Sequence, residues 1–242
     1  MIDLPTEANP VVVIEGDCLT VLRQMGGFDA VVTDPPYGIE LGATSDKRAG
    51  KHGSGKPGYL SFTDTYEAFV SEIVPRLNLA LSLANRGAVF SGPHIHEQRK
   101  PDAIGGVYTP ACNGRHCWGF KNFHPVLLYG KAPDLNKGAK EPTVFRSNST
   151  DEKNGHPCPK PVEWMRWLIR LSTRPGELIV DPFAGSGTTG VAAALEGRRC
   201  ILIEKEPAYA AICRARIAKV LDDGLFAGVA SEQPDLFADA KE

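Results

Sequence analysis

Short apolar runs alternate with helix-like runs along most of the chain, and this alternation constrains the fold more than any other feature. The strand candidates are Val11 to Glu15, Phe28 to Thr33, Gly87 to Ser91, Pro125 to Gly130, Glu177 to Val180 and Cys200 to Glu204. The helix candidates are Leu19 to Met25, Thr63 to Asn85 with a kink or break at Pro75, Pro161 to Ser172, Gly187 to Glu196 and Pro207 to Leu221. We therefore predict an α/β fold with a mostly parallel sheet, helices on both faces and ligands at the carboxyl ends of the strands.

Two stretches do not follow this alternation. Residues 42–58 are rich in glycine and basic residues and lack apolar periodicity, which predicts a long loop. Residues 92–121 are interrupted by several prolines and glycines, and their pattern assigns neither helix nor strand.

Composition narrows the class of protein. The 242 residues, of which 42% are hydrophobic, suit one large domain with a substantial core. The first residues lack a basic segment followed by an apolar run, and no apolar run is long enough to span a membrane, so we expect neither a secretory signal nor a membrane anchor. The six cysteines have no spacing typical of a disulfide framework, which favours reduced thiols in a cytoplasm.

Charge is distributed unevenly. The net charge of the chain is −2, but residues 222–242 contain six acids and one base and contribute −5, so the rest of the chain carries +3. We expect this acidic tail to be disordered. Any nucleic-acid surface on the remainder must be a local basic patch.

One glycine motif lies between a strand candidate and a helix candidate. Gly185, Gly187 and Gly190 follow the spacing G-x-G-x-x-G, and Glu204 ends the next strand. Such glycines let a backbone approach a ligand closely, and the acid accepts hydrogen bonds from a ribose. The motif suits a nicotinamide cofactor as well as any other adenosine-containing one, and a purely structural turn is a further alternative. The lysine of a phosphate-binding P-loop is missing, which disfavours nucleoside triphosphates.

A second motif, Asp34-Pro35-Pro36-Tyr37, follows the strand that ends at Thr33. The Asp34 carboxylate and the Pro35 carbonyl can accept hydrogen bonds from an exocyclic amine, whose lone pair would then point toward a methyl donor. Pro36 helps to stiffen the turn, and Tyr37 offers a ring on which a flipped base can stack. A rigid turn at the end of a strand is the structural alternative.

Together the two motifs resemble the beta-class DNA amino-methyltransferases, the family of N6-adenine and N4-cytosine DNA methylases, in which the catalytic motif precedes the cofactor motif. The flanking sequences resemble the family as well, and the resemblance covers most of residues 11–221. They are His156 to Pro161, Pro175 to Phe183, Gly197 to Glu204, Gly87 to Pro93, Trp118 and His124 to Lys131. The resemblance implies a Rossmann-like, S-adenosylmethionine-dependent methyltransferase fold with a circularly permuted motif order.

The resemblance also implies site residues. The catalytic residues would be Asp34, Pro35, Pro36 and Tyr37. The residues that bind S-adenosylmethionine would be Asp17 and Cys18 at the adenine, Glu204 at the ribose, Asp181, Phe183, Gly185, Gly187 and Thr188 at the methionine end, and His156 and Lys160 closing the pocket. Asp17 could instead cap the following helix. Cys158 and Pro159 stand where the family more often has polar residues. Aspartate at position 34 favours adenine N6 over cytosine N4.

Two groups of basic residues are candidates for DNA contact. One lies in the loop after the catalytic motif and the other in the region where the family places target recognition. They are Lys47, Arg48, Lys51 and Lys56, and Arg99, Lys100, Arg115 and Lys121. For the first group, an ordinary solvated loop is the alternative. The spacing of the cysteines and histidines between His94 and His124 matches no zinc site, so we expect no metal.

The resemblance suggests a methyltransferase domain over residues 1–221, with a small target-recognition insertion within residues 92–155, and a tail over residues 222–242. Within the tail, Gln233 to Phe237 resemble the pentapeptide with which bacterial proteins bind the replication sliding clamp. Relatives are often homodimers. We expect double-stranded DNA as substrate and the cytoplasm of a bacterial or phage-infected cell as location.

The sequence thus predicts a site-specific DNA methyltransferase of the restriction-modification type that transfers a methyl group to adenine N6. The alternatives are N4-cytosine methylation, methylation of RNA or a protein amide, a nicotinamide oxidoreductase, and a non-catalytic DNA-binding module that keeps the cofactor fold.

Overall fold

The computed structural model describes residues 2–40, 59–60, 62–110, 115–116, 119–120, 122–133, 141–149 and 159–222. The first half contains β1 (Val11–Glu15), α1 (Cys18–Leu22), β2 (Phe28–Thr33), α2 (Tyr66–Ala68), a π-helical turn (Phe69–Ile73), α3 (Val74–Leu83), β3 (Ala84–Phe90) and a 3₁₀ turn (Ile95–Glu97). The remainder contains β4 (Ala103–Tyr108), β5 (Arg115–His116), β6 (Gly119–Phe120), β7 (Phe123–Tyr129), β8 (Val144–Arg146), α4 (Val162–Ser172), β9 (Leu178–Asp181), α5 (Thr188–Leu195), β10 (Arg199–Glu204) and α6 (Pro207–Asp222).

Eight strands form one sheet in the order β1-β10-β9-β2-β3-β7-β4-β8, and β5 pairs with β6 separately. Neighbouring strands of the large sheet run parallel except at β7, which is antiparallel to both β3 and β4. The predicted α/β fold with a mostly parallel sheet is confirmed.

Helices cover both faces of this sheet. On one face α4, α5 and α6 bury a core that includes Trp164 and Trp167, both fully inaccessible to solvent. On the other face α1 and α3 pack Leu22 and Leu77 against the central strands. Among the described residues, no helix is long and apolar enough to cross a membrane.

The pairing of β2 with β9 joins the two halves of the chain. Ala30 lies opposite Ile179 and Val31 opposite Val180, and both strands run in the same direction. Because parallel strands end at the same edge, Asp34 after β2 and Asp181 at the end of β9 come close together although they are far apart in sequence.

The helical region before β3 runs without interruption from Tyr66 to Leu83, and it departs from regular α geometry over the π-helical turn Phe69–Ile73, just before Pro75. Thr65 accepts a hydrogen bond from the Ala68 N–H and caps α2, and the π-helical turn then leads into α3, where Pro75 occupies the first turn. Proline lacks the backbone N–H that a helix interior uses, and here it lies next to the π-helical turn, where the regular α-helical hydrogen-bond ladder is already interrupted.

Within residues 92–121 the structure contains a strand, β4, that the pattern does not reveal. Gly105 and Gly106 resemble turn residues but lie inside β4, where Gly106 makes room for the ring of Phe123 on the neighbouring strand. A glycine inside a strand often marks such a close approach. β4, β7 and β8 all belong to the large sheet, and the proposed division of residues 92–155 stays a prediction.

Candidate active site

Four strands end at one edge of the sheet, and the residues at or just after their ends line two adjoining pockets. The first pocket is lined by Asp17, Cys18, Arg76, Glu204 and Tyr209, among others. The second is lined by Lys160, Asp181, Thr188 and Thr189, among others. Asp34, Phe183 and Gly185 line both pockets, so the catalytic candidate lies at their junction.

Asp17 both caps a helix and lines the first pocket. One carboxylate oxygen accepts hydrogen bonds from the N–H groups of Leu19 (3.0 Å) and Thr20 (3.3 Å), and the other pairs with the Arg76 guanidinium at 2.8 Å. Partial burial opposes ionisation, but the hydrogen bond and charge of Arg76 and the two backbone donors outweigh it, so the pKa of Asp17 is below its ordinary value. The helix-cap alternative is therefore present in the structure, together with a position in the pocket.

Glu204 holds the glycine loop in place. Its carboxylate accepts from the Gly185 N–H at 2.7 Å and from the Glu206 N–H at 2.8 Å. Burial raises the pKa of Glu204, although these backbone donors oppose the shift. Each carboxylate oxygen has a second lone pair, which leaves capacity for ribose hydroxyls.

The glycine loop packs against α6. Gly187 has φ of +81°, a conformation that favours glycine, and a side chain there would put Cβ 2.5 Å from Cys213 Sγ. Gly187 is not among the residues that line either pocket, whereas Thr188 lines the second. Arg216 donates to the Ser186 carbonyl at 2.8 Å and to the Thr188 hydroxyl at 3.1 Å. This arginine, which the sequence analysis does not single out, fixes the loop from behind.

Asp181 lies buried beside the second pocket. It accepts hydrogen bonds from the Thr33 hydroxyl at 2.6 Å, the Phe183 N–H at 3.0 Å and the Thr189 hydroxyl. Burial raises the pKa of Asp181 to about 6, against the effect of these donors. The carboxylate thereby ties the end of β2 to the start of α5.

The catalytic motif forms a compact cluster with Lys160. One oxygen of the Asp34 carboxylate accepts from the Tyr37 hydroxyl, and the other accepts from the Lys160 ammonium at 2.8 Å. Lys160 Nζ also lies 3.3 Å from the Tyr37 hydroxyl oxygen and 5.4 Å from the ring centroid of Phe90. Pro35 is buried. A residue that the family resemblance assigns to the cofactor therefore contacts the carboxylate that the resemblance assigns to catalysis.

Asp64 supports the turn that follows the catalytic motif, and the sequence analysis does not identify it. Its carboxylate accepts from the N–H groups of Gly38 at 2.7 Å and Ile39 at 3.3 Å, and its carbonyl accepts from the Glu40 N–H at 2.6 Å. Asp64 is buried. The sequence signal that could have identified Asp64 is an acid placed directly before Thr65, the residue that caps α2.

The DNA-binding candidates are only partly described. Arg99 and Lys100 are exposed, and Arg115 belongs to β5. The other candidates, with His156 and the clamp-like pentapeptide, lie outside the described residues: Lys47, Arg48, Lys51, Lys56, Lys121, His156 and Gln233 to Phe237. Over the part of the chain that is described, no three His, Cys, Asp or Glu side chains form a group able to hold a metal ion.

Comparison with known proteins gives a family match over part of the chain. Residues 116–215 match the family model described as DNA methylase. The Type II methyltransferase M2.DpnII of Streptococcus pneumoniae is 39% identical over 93 residues, which are 37% of this chain and 35% of that protein. M2.LlaDCHI of Lactococcus lactis subsp. cremoris is 35% identical over 101 residues, 40% and 38% of the two chains. The chain thus spans little more than a third of these curated relatives.

Solved structures resemble the chain over most of its length, at low sequence identity. The complex of M1.HpyAVI with SAM has a TM-score of 0.59 at 20% identity and covers 86% of this chain and 98% of that one. The cytosine-N4-specific PvuII DNA methyltransferase has a TM-score of 0.60 at 17% identity and covers 92% and 94%. These structures establish the shared fold. The match over residues 116–215 and the two Type II relatives confirm the predicted resemblance to the DNA amino-methyltransferase family.

Proposed function

We propose that this protein is a DNA methyltransferase that transfers a methyl group from S-adenosylmethionine to the exocyclic N6 of adenine. The observation that carries the proposal is the position of Asp34, which lies where the two pockets adjoin and lines both. A methyl donor that extends through both pockets would have its reactive centre beside this carboxylate. The family match and the Type II relatives support methylation of DNA, and the choice of adenine N6 rests on the aspartate at position 34.

The residues present fit this cofactor. Glu204 and Asp17 would take the ribose and the adenine in the first pocket, beside Cys18, and Thr188 and Lys160 would line the space for the methionine end. S-adenosylmethionine supplies a sulfonium methyl group, which is electrophilic and needs no metal to be transferred. The protein itself would bind and orient the cofactor and the target base, and would exclude water from the site.

Transfer to an amine requires that its lone pair be turned toward the methyl group. The Asp34 carboxylate and the Pro35 carbonyl would accept the two amine hydrogens, and Tyr37 would stack on the flipped base. The proton leaves through Asp34 or water. An aspartate at position 34 favours adenine. N4-cytosine is the alternative, since the PvuII enzyme of similar fold acts there.

The test is incubation of the purified protein with methyl-labelled S-adenosylmethionine and genomic DNA that lacks prior methylation, followed by nucleoside mass spectrometry. We expect labelled N6-methyladenine. Labelled N4-methylcytosine would support the alternative base, and cofactor binding without any label would support a non-catalytic DNA-binding module. Binding of NAD in place of S-adenosylmethionine would support the nicotinamide alternative.

The same assay tests the catalytic assignment. Asp34→Ala should still bind the cofactor but lower the transfer rate by roughly two to three orders of magnitude, as expected when a group that stabilises the transition state is removed. The exposed Asp222 at the end of α6 offers a matched control, and Asp222→Ala should leave the rate unchanged. An Asp34→Ala enzyme with normal turnover would remove Asp34 from the mechanism.

We also propose that the acidic tail recruits the enzyme to newly replicated DNA in the bacterial cytoplasm through Gln233 to Phe237, and that the enzyme works as a homodimer. A peptide spanning Ser231 to Ala240 should bind a purified bacterial sliding clamp, and absence of binding at high micromolar concentration would exclude this role. The mass of the full chain in solution, measured by analytical ultracentrifugation, tests the homodimer: a mass of two chains supports it and a mass of one chain contradicts it.

A further inference from the structure

Lys160 forms an ion pair with Asp34, whose carboxylate the proposed reaction needs. Its ammonium is 2.8 Å from one oxygen of Asp34, while the Tyr37 hydroxyl donates to the other. The Lys160 side chain is only 11% exposed and the Asp34 side chain 21%. Each oxygen of the Asp34 carboxylate, which should accept one hydrogen of the incoming amine, therefore already has one donor, and one of these two donors is a cation.

An ammonium in this position opposes methyl transfer for an electrostatic reason. The target nitrogen gains positive charge as it accepts the methyl group, and a fixed cation in contact with Asp34 would repel that charge in a partly desolvated site. The Asp34 carboxylate would also stabilise the transition state less well while it is paired with a cation. Lys160 must therefore leave Asp34 before transfer.

The second pocket is where the Lys160 ammonium would find another partner. Among the described residues that line this pocket, Lys160 is the one cation, and the others include Thr188 and Thr189. The methionine end of the proposed cofactor carries a carboxylate, which is the anion that an ammonium would pair with there. Asp34 and Lys160 line the same pocket, and the flexible four-carbon stem of lysine would let the ammonium move between the two partners.

We infer that Lys160 exchanges partners when the cofactor binds: it pairs with Asp34 in the empty enzyme and with the cofactor carboxylate in the loaded enzyme, which frees Asp34 for the target amine. The inference rests on the proposed function and deepens it. Lys160 is then a positioning residue that couples cofactor binding to capture of the base. The cofactor and the base both favour the arrangement in which the Lys160 ammonium has left Asp34.

This coupling can be tested in the wild-type enzyme with S-adenosylhomocysteine and its decarboxylated analogue, which differ only in the carboxylate. DNA affinity is measured by fluorescence anisotropy, on a duplex carrying the site that the methylation assay identifies. S-adenosylhomocysteine should tighten DNA binding about tenfold. Its decarboxylated analogue, at a concentration that calorimetry shows to be saturating, should change it less than about twofold. Equal tightening by both ligands, or by neither, in an enzyme that methylates DNA would overturn the inference.

Lys160→Met provides the complementary test, because methionine keeps the unbranched stem and removes the charge. We expect S-adenosylhomocysteine to bind about tenfold more weakly, binding of the decarboxylated analogue to stay unchanged, and DNA affinity to become independent of either ligand. Lys160→Arg should retain the coupling. Lys219→Met, at an exposed position in the last turn of α6, is the control.

The outcomes separate this inference from the proposed function. A Lys160→Met enzyme that still couples S-adenosylhomocysteine to DNA binding would overturn the partner exchange while leaving the methyltransferase intact. A merely structural role of Lys160 would lower affinity for both ligands alike, which also contradicts the exchange. Failure of the wild-type enzyme to methylate any DNA would instead refute the proposed function.

Discussion

At the scale of single residues, Asp181 connects the catalytic and cofactor motifs. All three groups that donate to its carboxylate are neutral, namely the hydroxyls of Thr33 and Thr189 and the Phe183 N–H. Neutral donors only partly offset the loss of hydration, which explains why the pKa of Asp181 is raised to about 6. Thr33 directly precedes Asp34, so this hydrogen bond also fixes the strand end that presents the catalytic motif.

The raised pKa of Asp181 predicts a pH dependence of stability. Between its unfolded value of 3.8 and its folded value of about 6, the folded protein binds more protons than the unfolded chain at this site. The contribution of Asp181 to the free energy of unfolding must then fall as pH rises through this window. Relative to Asp181→Asn, the wild type should lose about 2 kcal/mol of stability between pH 4 and pH 7, measured by urea unfolding. A difference between the two proteins that does not vary with pH would contradict this account.

At the scale of elements, the position of α5 depends on its small residues. Every residue of α5 except Leu195 is buried, and most of the helix consists of alanine, threonine and glycine. Gly190 faces the sheet, and a Cβ at this position would collide with Leu202 and lie 3.0 Å from atoms of Val11 and Ile217. The close approach of α5 brings Thr188 and Thr189 to the second pocket.

Gly190→Ala tests this packing, because alanine is the better helix former by about 1 kcal/mol and would stabilise the protein if space allowed. We expect the collision to dominate and to destabilise the protein by about 1–3 kcal/mol in urea unfolding. Gly26→Ala is a matched control, since nothing lies within 4 Å of a Cβ there. Greater stability of Gly190→Ala would show that α5 can move away from the sheet.

The elements that the sequence predicts best are those whose own residues determine them. β2 matches its predicted bounds, Phe28 to Thr33, because a mostly apolar, β-branched stretch lies between a glycine pair and the turn that begins at Asp34. β4 depends instead on the neighbouring Phe123, and β8 is a short edge strand; neither leaves a local pattern in the sequence.

The candidate site shows the same difference between local and long-range information. The motifs predict Asp34 and Glu204, whereas the contact of Lys160 with Asp34 joins residues 126 positions apart and becomes evident only from the fold.

At the scale of the whole molecule, charge is separated along the chain. The acidic tail contributes −5, and the remaining residues carry +3, with four basic residues in the loop after the catalytic motif. A weakly basic body binds DNA through few phosphate contacts, each of which releases counterions and makes affinity fall with salt. The salt dependence of binding therefore reports how many basic residues take part.

Neutralising the loop should reduce that salt dependence. We expect replacement of Lys47, Arg48, Lys51 and Lys56 by glutamine to lower the slope of log affinity against log salt concentration by about 0.9 for each residue that contacts a phosphate. Fluorescence anisotropy with duplex DNA measures the slope. Replacement of the exposed Arg23 and Lys219 should leave the slope unchanged. Arg23 directly follows α1 and Lys219 lies in the last turn of α6, and both helices run back toward the opposite edge of the sheet. An unchanged slope for the loop variant would assign the phosphate contacts to other basic residues, with the exposed Arg99 and Lys100 as the next pair to replace.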